Sequence, residues 1–336
     1  MNMTLGNAID NYRRHLQARN RAESTIQNSI QPLRFLYRAV GDIQIRHLRP
    51  QHIDRMFQDK TWSVSTRNLY IGYLRRFTAH ARRQGWMPRD EDPMDGWEID
   101  RVPRKEYLRV PVERFGELMD ATDHPRDRIV IALGLFTFCR SSEVSTIRVR
   151  DLDFGRNEVE VFRWKTSQPD TMPMSSELKA ELLRWFAYYE HRMGETLHSN
   201  WLVAPALGPV VLSNSPVNGR FEKVTDEQRI KPEDKMGHPY APVQRALAAL
   251  GYDTHQTGGH TLRRSGARAW FDTLRADGYD GALKRVASML GHADTRVTER
   301  YLGLGIERMQ RNEMLAGKPM FPSMATQHTL VRLVGE

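Results

Sequence analysis

The sequence predicts a mostly α-helical protein of two domains, the second an α+β domain with a small antiparallel β-sheet. Its 336 residues are about twice the length of a common domain. Along most of the chain, apolar residues recur every three or four positions, which is the spacing of one face of an α-helix. Residues 151–174 instead alternate apolar and polar side chains, as the strands of a half-exposed sheet do.

The first 90 residues are predicted to form a helical domain. Four amphipathic helices are expected to begin near Leu5, near Ser24 or Thr25 (both good N-cap types), near Pro50 and near Ser65. The fourth helix carries a row of arginines opposite its apolar side, namely Arg67, Arg75, Arg76, Arg82 and Arg83. Any one of them is explained by exposure to solvent. As a group in a basic chain, they are predicted to follow the phosphates of a nucleic acid.

The composition favours a polyanionic partner. The chain has 50 Lys and Arg against 41 Asp and Glu, a formal net charge of +9, and such chains displace the counterions of phosphates. Charge alone does not separate DNA from RNA or an anionic membrane. However, no apolar run of about 18 residues is present to span a bilayer, and no secretory signal is visible. With Cys139 as the single cysteine, a disulfide framework is excluded, and we expect a cytoplasmic protein.

The second domain is predicted over residues 112–320. It is preceded by residues 91–111, which are rich in Asp, Pro, Arg and Lys, lack a sustained period and are therefore predicted to be an inter-domain linker. The segment from Asp127 to Phe138 is apolar nearly all round and should be a buried helix. Two strands follow, with Lys165 at or near their hairpin turn. We expect residues 196–240 to form an irregular connection.

Two arginine motifs are suited to binding an oxyanion. His260 and Arg263 lie three residues apart, so on a helix they share one face and can converge on one target. Arg140 follows the buried helix directly, and Glu143 is placed to orient it by a charge-assisted hydrogen bond. A guanidinium fork matches phosphate oxygens. Taken singly, the His260 and Arg263 pair is more often a surface pair or a helix start, and Arg140 with Glu143 is also explained by a structural ion pair.

A third motif brings a histidine near a phenol. His292 follows Gly291, a natural helix stop, and Tyr301 comes nine residues later in the chain. A short helix between them would return Tyr301 toward His292. A tyrosine that packs at an interface explains the same pattern.

Together and in this order, these residues resemble the catalytic set of the tyrosine recombinase (phage integrase) family, which runs Arg, Lys, His, Arg, His, Tyr. The matching positions are Arg140, Lys165, His260, Arg263, His292 and Tyr301. They lie within the family's R-x-x-E (completed by Glu143), H-x-L-R and L-G-H patterns, and the likeness covers nearly the whole chain. Phe138 departs from the family, which commonly has glycine two residues before the first arginine. The connection at 196–240 also looks longer than usual.

The resemblance implies covalent chemistry on DNA without ATP, metal or another cofactor. Tyr301 is expected to attack a phosphodiester, which gives a 3′-phosphotyrosine and a free 5′-hydroxyl and keeps the bond energy for religation. Arg140 and Arg263 are expected to stabilise the charge that develops on the phosphate oxygens. The remaining expected roles are general acid for Lys165, general base for His260 and phosphate donor for His292.

Two other kinds of site are disfavoured. A zinc site built from His255, His260 and His292 would need a cation among intervening arginines, which repel it. A nucleophilic role for Cys139 is less favoured than a place in the core, because the thiol lies beside a predicted buried helix. We therefore expect neither metal nor cofactor.

The resemblance also implies an assembly. Residues 1–90 are expected to form the core-binding domain that clamps DNA opposite the catalytic domain, and because helices start near residue 1, no arm-binding module is expected. The tail at 321–336 is expected to dock on a neighbouring protomer. The implied partners are double-stranded recombination sites, a homo-tetramer on synapsed DNA and accessory DNA-bending or directionality factors, in the cytoplasm or nucleoid of a bacterial host. The implied role is integration or excision of a phage or mobile element.

Two alternatives stay open at this point. A nicking and closing enzyme like the type IB topoisomerases uses similar groups, but it acts as one molecule on supercoiled DNA. A helical DNA-binding regulator without chemistry would also explain the basic helices, although it leaves the ordered set of six residues as coincidence. A covalent protein–DNA adduct separates the enzymes from the regulator.

Overall fold

The structure is a computed structural model that describes residues 3–58, 60–102, 107–122, 124–193, 199–207, 229–237, 239–255 and 257–304. The chain divides into two compact units, Met1–Lys105 and Glu106–Glu336. The division falls inside the segment 91–111.

The first unit is a helical domain with one core. Its helices are α1 (Leu5–Ala18), α2 (Glu23–Val40), α3 (Pro50–Phe57) and α4 (Val64–Arg83), with a short 3₁₀ turn at Ile45–His47. The apolar side of each helix contributes to the core, which includes Leu5, Leu33, Leu36, Ile53, Leu74 and Phe77. The Ser63 side chain accepts a hydrogen bond from the backbone N–H of Thr66 and so caps α4. Helix α2 follows Ala22 without a side-chain cap, so the cap expected at Ser24 or Thr25 is wrong.

The chain after α4 packs back on the first unit. Met87 and Met94 are buried in its core. Arg82 forms an ion pair of 2.7 Å with Asp92, and the Arg75 guanidinium donates to the carbonyl oxygen of Trp97. Residues up to about 97 are thus held on α4, although the sequence there has no regular period.

The second unit is built mainly of helices and includes a small sheet. The helices are α5 (Phe115–Asp120), α6 (Pro125–Phe136), α7 (Ser141–Val144), α8 (Ser176–Met193), α9 (Tyr240–Ala249), α10 (Gly259–Ala276), α11 (Ala282–Leu290) and α12 (Thr295–Leu302), with 3₁₀ turns at Val112–Arg114 and Val149–Asp151. The strands are β1 (Leu152–Asp153), β2 (Glu158–Arg163), β3 (Gln168–Pro173), β4 (Ala206–Leu207) and β5 (Arg229–Ile230). Strands β1, β2 and β3 form an antiparallel sheet in that order, and β4 pairs with β5.

The register of the sheet fixes which side chains enter the core. Val159 pairs with Met172, and Arg163 pairs with Gln168 across the β2–β3 hairpin. Val159, Val161 and Arg163 all point inward, since side chains alternate along a strand. Lys165 lies in the turn between the two strands and is exposed, as the sequence predicts.

Helix α6 is buried and crosses α10 at very close range. A Cβ added at Gly266 of α10 would lie 1.8 Å from the carbonyl oxygen of Leu135 in α6. Only glycine allows two backbones to approach so closely. Because Arg140 follows α6 and Arg263 lies on α10, this crossing brings the two arginines to one place.

The mostly α fold with a small antiparallel sheet is confirmed. In the described part of the chain, no helix combines the length and apolar character needed to cross a membrane. Two predicted features lie outside the described residues: the tail at 321–336, and residues 196–198, 208–228 and 238 of the 196–240 connection.

Candidate active site

The chain turns sharply between α6 and α7, and this turn presents Arg140. Phe138 has φ of +53°, in the left-handed region, and Arg140 then becomes the N-cap of α7. The Arg140 backbone N–H donates to Glu143 Oε2 at 2.7 Å. Its Nη1 donates to Glu143 Oε1, also at 2.7 Å. The expected pairing of these two side chains is therefore present.

Glu143 is a buried carboxylate shared by three arginines. Its residue is 1% exposed. Besides Arg140, its Oε2 accepts from Arg163 Nη1 at 2.8 Å and lies 3.7 Å from Arg263 Nη1. Burial acts to raise the pKa of Glu143, but the Arg140 backbone hydrogen bond and the charges of Arg163 and Arg140 outweigh it and lower the pKa below its usual value. The carboxylate therefore holds three cationic groups together.

Arg263 lies beneath the surface at the centre of this cluster. It is 1% exposed, and its guanidinium donates to the carbonyl oxygens of Phe138 and Leu290. Burial lowers its pKa to about 10, so it stays charged at neutral pH. Its position is thus fixed by α10, by the turn after α6 and by the end of α11.

Tyr301 on α12 lies directly against this buried charge. Its hydroxyl donates to the backbone carbonyl of His260 at 3.3 Å, and the Arg263 guanidinium on the same helix as His260 is close enough for its charge to act on the phenol. The Arg264 guanidinium lies 5.2 Å from the centroid of its ring. Burial raises the pKa of Tyr301, although the charges of Arg263 and Arg264 oppose this. The phenol is therefore protonated at neutral pH and needs a proton acceptor before it can act as a nucleophile.

Two histidines border the phenol. The His292 ring meets the Tyr301 ring edge to face, with centroids 5.7 Å apart, and its Nδ1 lies 3.0 Å from Thr298 Oγ1. Burial and the charge of Arg263 lower the pKa of His292 to about 4. Desolvation and the same arginine lower the pKa of His260. Both rings are therefore neutral at physiological pH, in the form that can accept or relay a proton.

Lys165 lies in the hairpin turn, two residues after Arg163 at the end of β2. Its charge is among those that lower the pKa of His292, which places it within electrostatic range of that ring. It is exposed to solvent. The structure thus brings all six predicted residues to one face of the second unit.

A cationic cluster beside a phenol suits an anionic substrate rather than a metal. In the described residues, no three His, Cys, Asp or Glu side chains are grouped to hold a metal ion. Cys139 is 1% exposed, and burial raises the pKa of its thiol to about 11. It is therefore a core residue, as expected.

Comparison with known proteins identifies the family. The family model described as the phage integrase family matches residues 109–306, which is more than half of the chain and includes all six predicted catalytic positions. The chain belongs to the phage integrase family. The resemblance drawn from the six residues is confirmed.

Individual relatives are more distant. The integrase/recombinase y4rF of Sinorhizobium fredii is 25% identical over 221 residues, which are 62% of this chain and 45% of that protein. The chain therefore matches less than half the length of this curated relative. Among solved structures, a lambda integrase dimer bound to a core site has a TM-score of 0.66 at 15% identity, over 89% of this chain and 95% of that one. The Tn1549 transposon integrase in complex with circular intermediate DNA has a TM-score of 0.61 at 15% identity, over 92% and 99%. At these identities the structures establish a shared fold.

Arg163 is a site residue of this phage integrase family member that the sequence pattern does not indicate. The sequence places it on the alternating strand with Val159 and Val161, and the structure buries it to 4% exposure. An arginine on the apolar side of a strand is the available signal, because a buried cation requires a partner. The identity of that partner, Glu143, is not contained in the local pattern.

The predicted arginine row on α4 divides into two groups. Arg75, Arg76 and Arg83 are exposed, while Arg67 and Arg82 are half-buried. Arg82 and Arg75 bind the chain that follows the helix, as described above. Arg76 donates to the carbonyl oxygen of Gly72 at 3.0 Å, within its own helix. Phosphate binding by this row stays a prediction, and it is best suited to Arg76 and Arg83.

Proposed function

We propose that this protein is a site-specific DNA recombinase that cleaves and rejoins strands through a covalent bond between Tyr301 and a 3′-phosphate. One observation carries the proposal. The Tyr301 hydroxyl reaches the backbone of His260 at the start of α10, within electrostatic range of Arg263 on the same helix, and Arg263 shares the Glu143 carboxylate with Arg140. A nucleophile and two phosphate-binding groups therefore meet at one point.

The cationic cluster would bind the scissile phosphate. Two carboxylates, Glu143 and Asp170, face the three guanidiniums of Arg140, Arg163 and Arg263, which leaves a net positive charge. Arg140 is the most accessible of the three, with its side chain 22% exposed. Fixed cations of this kind stabilise the charge on the nonbridging oxygens in the transition state without reorganisation.

Cleavage would form one bond and break one. The Tyr301 oxygen attacks phosphorus, and the bond from phosphorus to the 5′-oxygen breaks. The phenol proton passes to the neutral His260 ring, while Lys165 gives a proton to the departing 5′-oxygen. The hydroxyl now donates to the backbone of His260, so it must turn toward the ring. Religation reverses these steps with another 5′-hydroxyl, and the phosphotyrosine bond supplies the energy.

The partner would be double-stranded DNA, with the first unit contacting its backbone. The structures of similar fold include a lambda integrase tetramer bound to a Holliday junction, with a TM-score of 0.63 at 16% identity, and the Tn1549 integrase on a circular intermediate. These support a tetramer on DNA and a role in moving a phage or mobile element, and we place that role in the bacterial cytoplasm or nucleoid as part of the proposal. Accessory DNA-bending factors are compatible with this role.

The proposal is tested by trapping the adduct. Nicked duplexes that tile the DNA flanking the gene are incubated with the protein and analysed under denaturing conditions. We expect a covalent adduct with the wild type and none with Tyr301→Phe, which should still bind DNA. Tyr279→Phe is the matched control, because Tyr279 is 52% exposed and should leave the adduct unchanged.

The remaining outcomes separate the alternatives. An adduct mapped to another residue contradicts the assignment of Tyr301. Relaxation of a single supercoiled plasmid without exchange between two sites favours the topoisomerase-like activity. DNA binding without any adduct favours the regulator.

A further inference from the structure

The last residue of β2 is a buried arginine that the family's catalytic set does not contain. Arg163 lies two residues before Lys165, at the point where the strand enters the hairpin turn. It is 4% exposed, and each of its three guanidinium nitrogens donates to an acceptor within the protein, so it is not arranged to bind a DNA phosphate itself. Its function must be exerted through the groups that it contacts.

The guanidinium nitrogens of Arg163 donate hydrogen bonds to three different segments of the chain. Nη1 donates to Glu143 Oε2 at 2.8 Å, and Nε donates to Asp170 Oδ2 on β3 at 3.0 Å. Nη2 donates to the carbonyl oxygen of Met289 at 2.7 Å and approaches the sulfur of Met172 at 3.0 Å. One planar group thus connects α7, the hairpin and the end of α11.

Each of these segments carries a candidate catalytic residue. Glu143 orients Arg140 by two hydrogen bonds. Met289 lies near the C-terminus of α11, just before His292, and a cation there also interacts favourably with the helix dipole. The bond to Asp170 closes the hairpin whose turn contains Lys165. The position of Lys165 relative to Arg140 and His292 therefore depends on one guanidinium.

We propose that Arg163 is a positioning residue that holds the Lys165 hairpin against Arg140 and the end of α11. The inference rests on the strand-cleavage function proposed above. A lysine cannot replace the arginine, because a single ammonium group cannot reach three acceptors that lie in the directions of a planar fork. Loss of the guanidinium should displace the proton donor without removing it.

The test uses a substrate that does not need a proton donor. In a nicked duplex with sulfur in place of the bridging 5′-oxygen, the leaving group is a thiolate, which departs without protonation. Lys165→Ala should slow cleavage of the oxygen substrate, whereas its rate of cleavage of the sulfur substrate should be close to that of the wild type. If Arg163 acts through Lys165, Arg163→Lys should behave in the same way, with an oxygen-substrate loss of about 100-fold, the scale of a 1 Å misplacement.

Two further variants keep the test decisive if Arg163→Lys folds poorly. Asp170→Asn weakens one contact of Arg163 at a side chain that is 36% exposed, and a smaller loss with the same recovery is expected. Arg156→Lys is the control, because Arg156 lies in the opposite turn of the same sheet and its side chain is 78% exposed. It should cleave both substrates at the wild-type rate. Thermal unfolding is recorded for every variant.

The outcomes distinguish this inference from the proposed function. If Arg163→Lys and Asp170→Asn lose activity equally on both substrates, Arg163 supports the fold only and the inference is overturned. If the wild type forms no adduct with either substrate, the strand-cleavage function fails, and the inference fails with it. Selective recovery by the sulfur substrate supports both.

Discussion

The carbonyl oxygen of Phe138 accepts a hydrogen bond from the guanidinium of Arg263. Phe138 can present it because its backbone is left-handed, with φ of +53°, a conformation that a non-glycine residue adopts at a cost. Its side chain is 4% exposed and packs in a cluster with Ala267, Phe271 and Leu290. Phe138 stands where the family commonly has glycine. It has the left-handed backbone that glycine adopts easily, and its ring is packed in the core.

This arrangement predicts an unusual order of stability for two variants. Phe138→Ala loses the buried ring and should lower the free energy of unfolding by about 3–5 kcal/mol. Phe138→Gly loses the same packing but adopts positive φ freely, so it should be more stable than the alanine variant by roughly 0.5–1 kcal/mol. Urea unfolding of both proteins measures the difference. An alanine variant at least as stable as the glycine variant would show that the left-handed backbone is not retained.

The two crossing helices provide a second prediction. Gly266→Ala would place a methyl group 1.8 Å from the backbone oxygen of Leu135, so α6 and α10 must separate, at a cost of about 3 kcal/mol or more. Gly116→Ala is the matched change in α5, where nothing lies within 4 Å of the added carbon. It should stabilise by about 0.5–1 kcal/mol, since alanine is the better helix former. Thermal unfolding compares the two, and equal effects would contradict the close crossing.

Stability should also fall at mildly acidic pH because of His292. Its folded pKa is about 4, against an ordinary value of 6.5, so the unfolded chain binds the proton first as pH decreases. The contribution of neutral His292 to the free energy of unfolding is fully present above about pH 6.5. It is lost as pH falls toward 4, by up to about 1.4 kcal/mol per pH unit. The free energy of unfolding of His292→Asn should therefore depend less on pH between 6.5 and 5. Parallel curves for variant and wild type would rule out the lowered pKa.

The two groups of arginines on α4 predict different effects on DNA binding. Replacing exposed Arg83 with glutamine should reduce the slope of log K against log salt by about 0.9, the value for one lost phosphate contact. Replacing Arg82 should leave the slope unchanged and lower stability by about 1 kcal/mol, because it is paired with Asp92. Titrations at several salt concentrations test both. A reduced slope for Arg82→Gln would show that Arg82 also contacts a DNA phosphate, contrary to this prediction.

The sequence by itself determined the residue types and their order. Apolar residues recur about every 3.6 positions in a helix and every 2 in a strand, and this spacing is a local property of the sequence. The buried helix α6 and the hairpin at Lys165 could therefore both be predicted. The six residues from Arg140 to Tyr301 also indicated the family, because their types match a known chemistry. The pairing of Arg140 with Glu143 could also be predicted, because the two residues lie within one helical turn and their contact is local.

Only the tertiary structure decided which distant groups meet. Arg163 and Glu143 are 20 positions apart and Phe138 and Arg263 are 125 apart, so no periodic pattern relates them. Their contacts depend on the crossing of α6 and α10 and on the inward direction of the last side chain of β2. In the same way, the burial of Met94 and the ion pair of Arg82 depend on how the chain folds back on α4. Burial then determines the chemistry, because a charge removed from water must find its partner wherever the fold brings one.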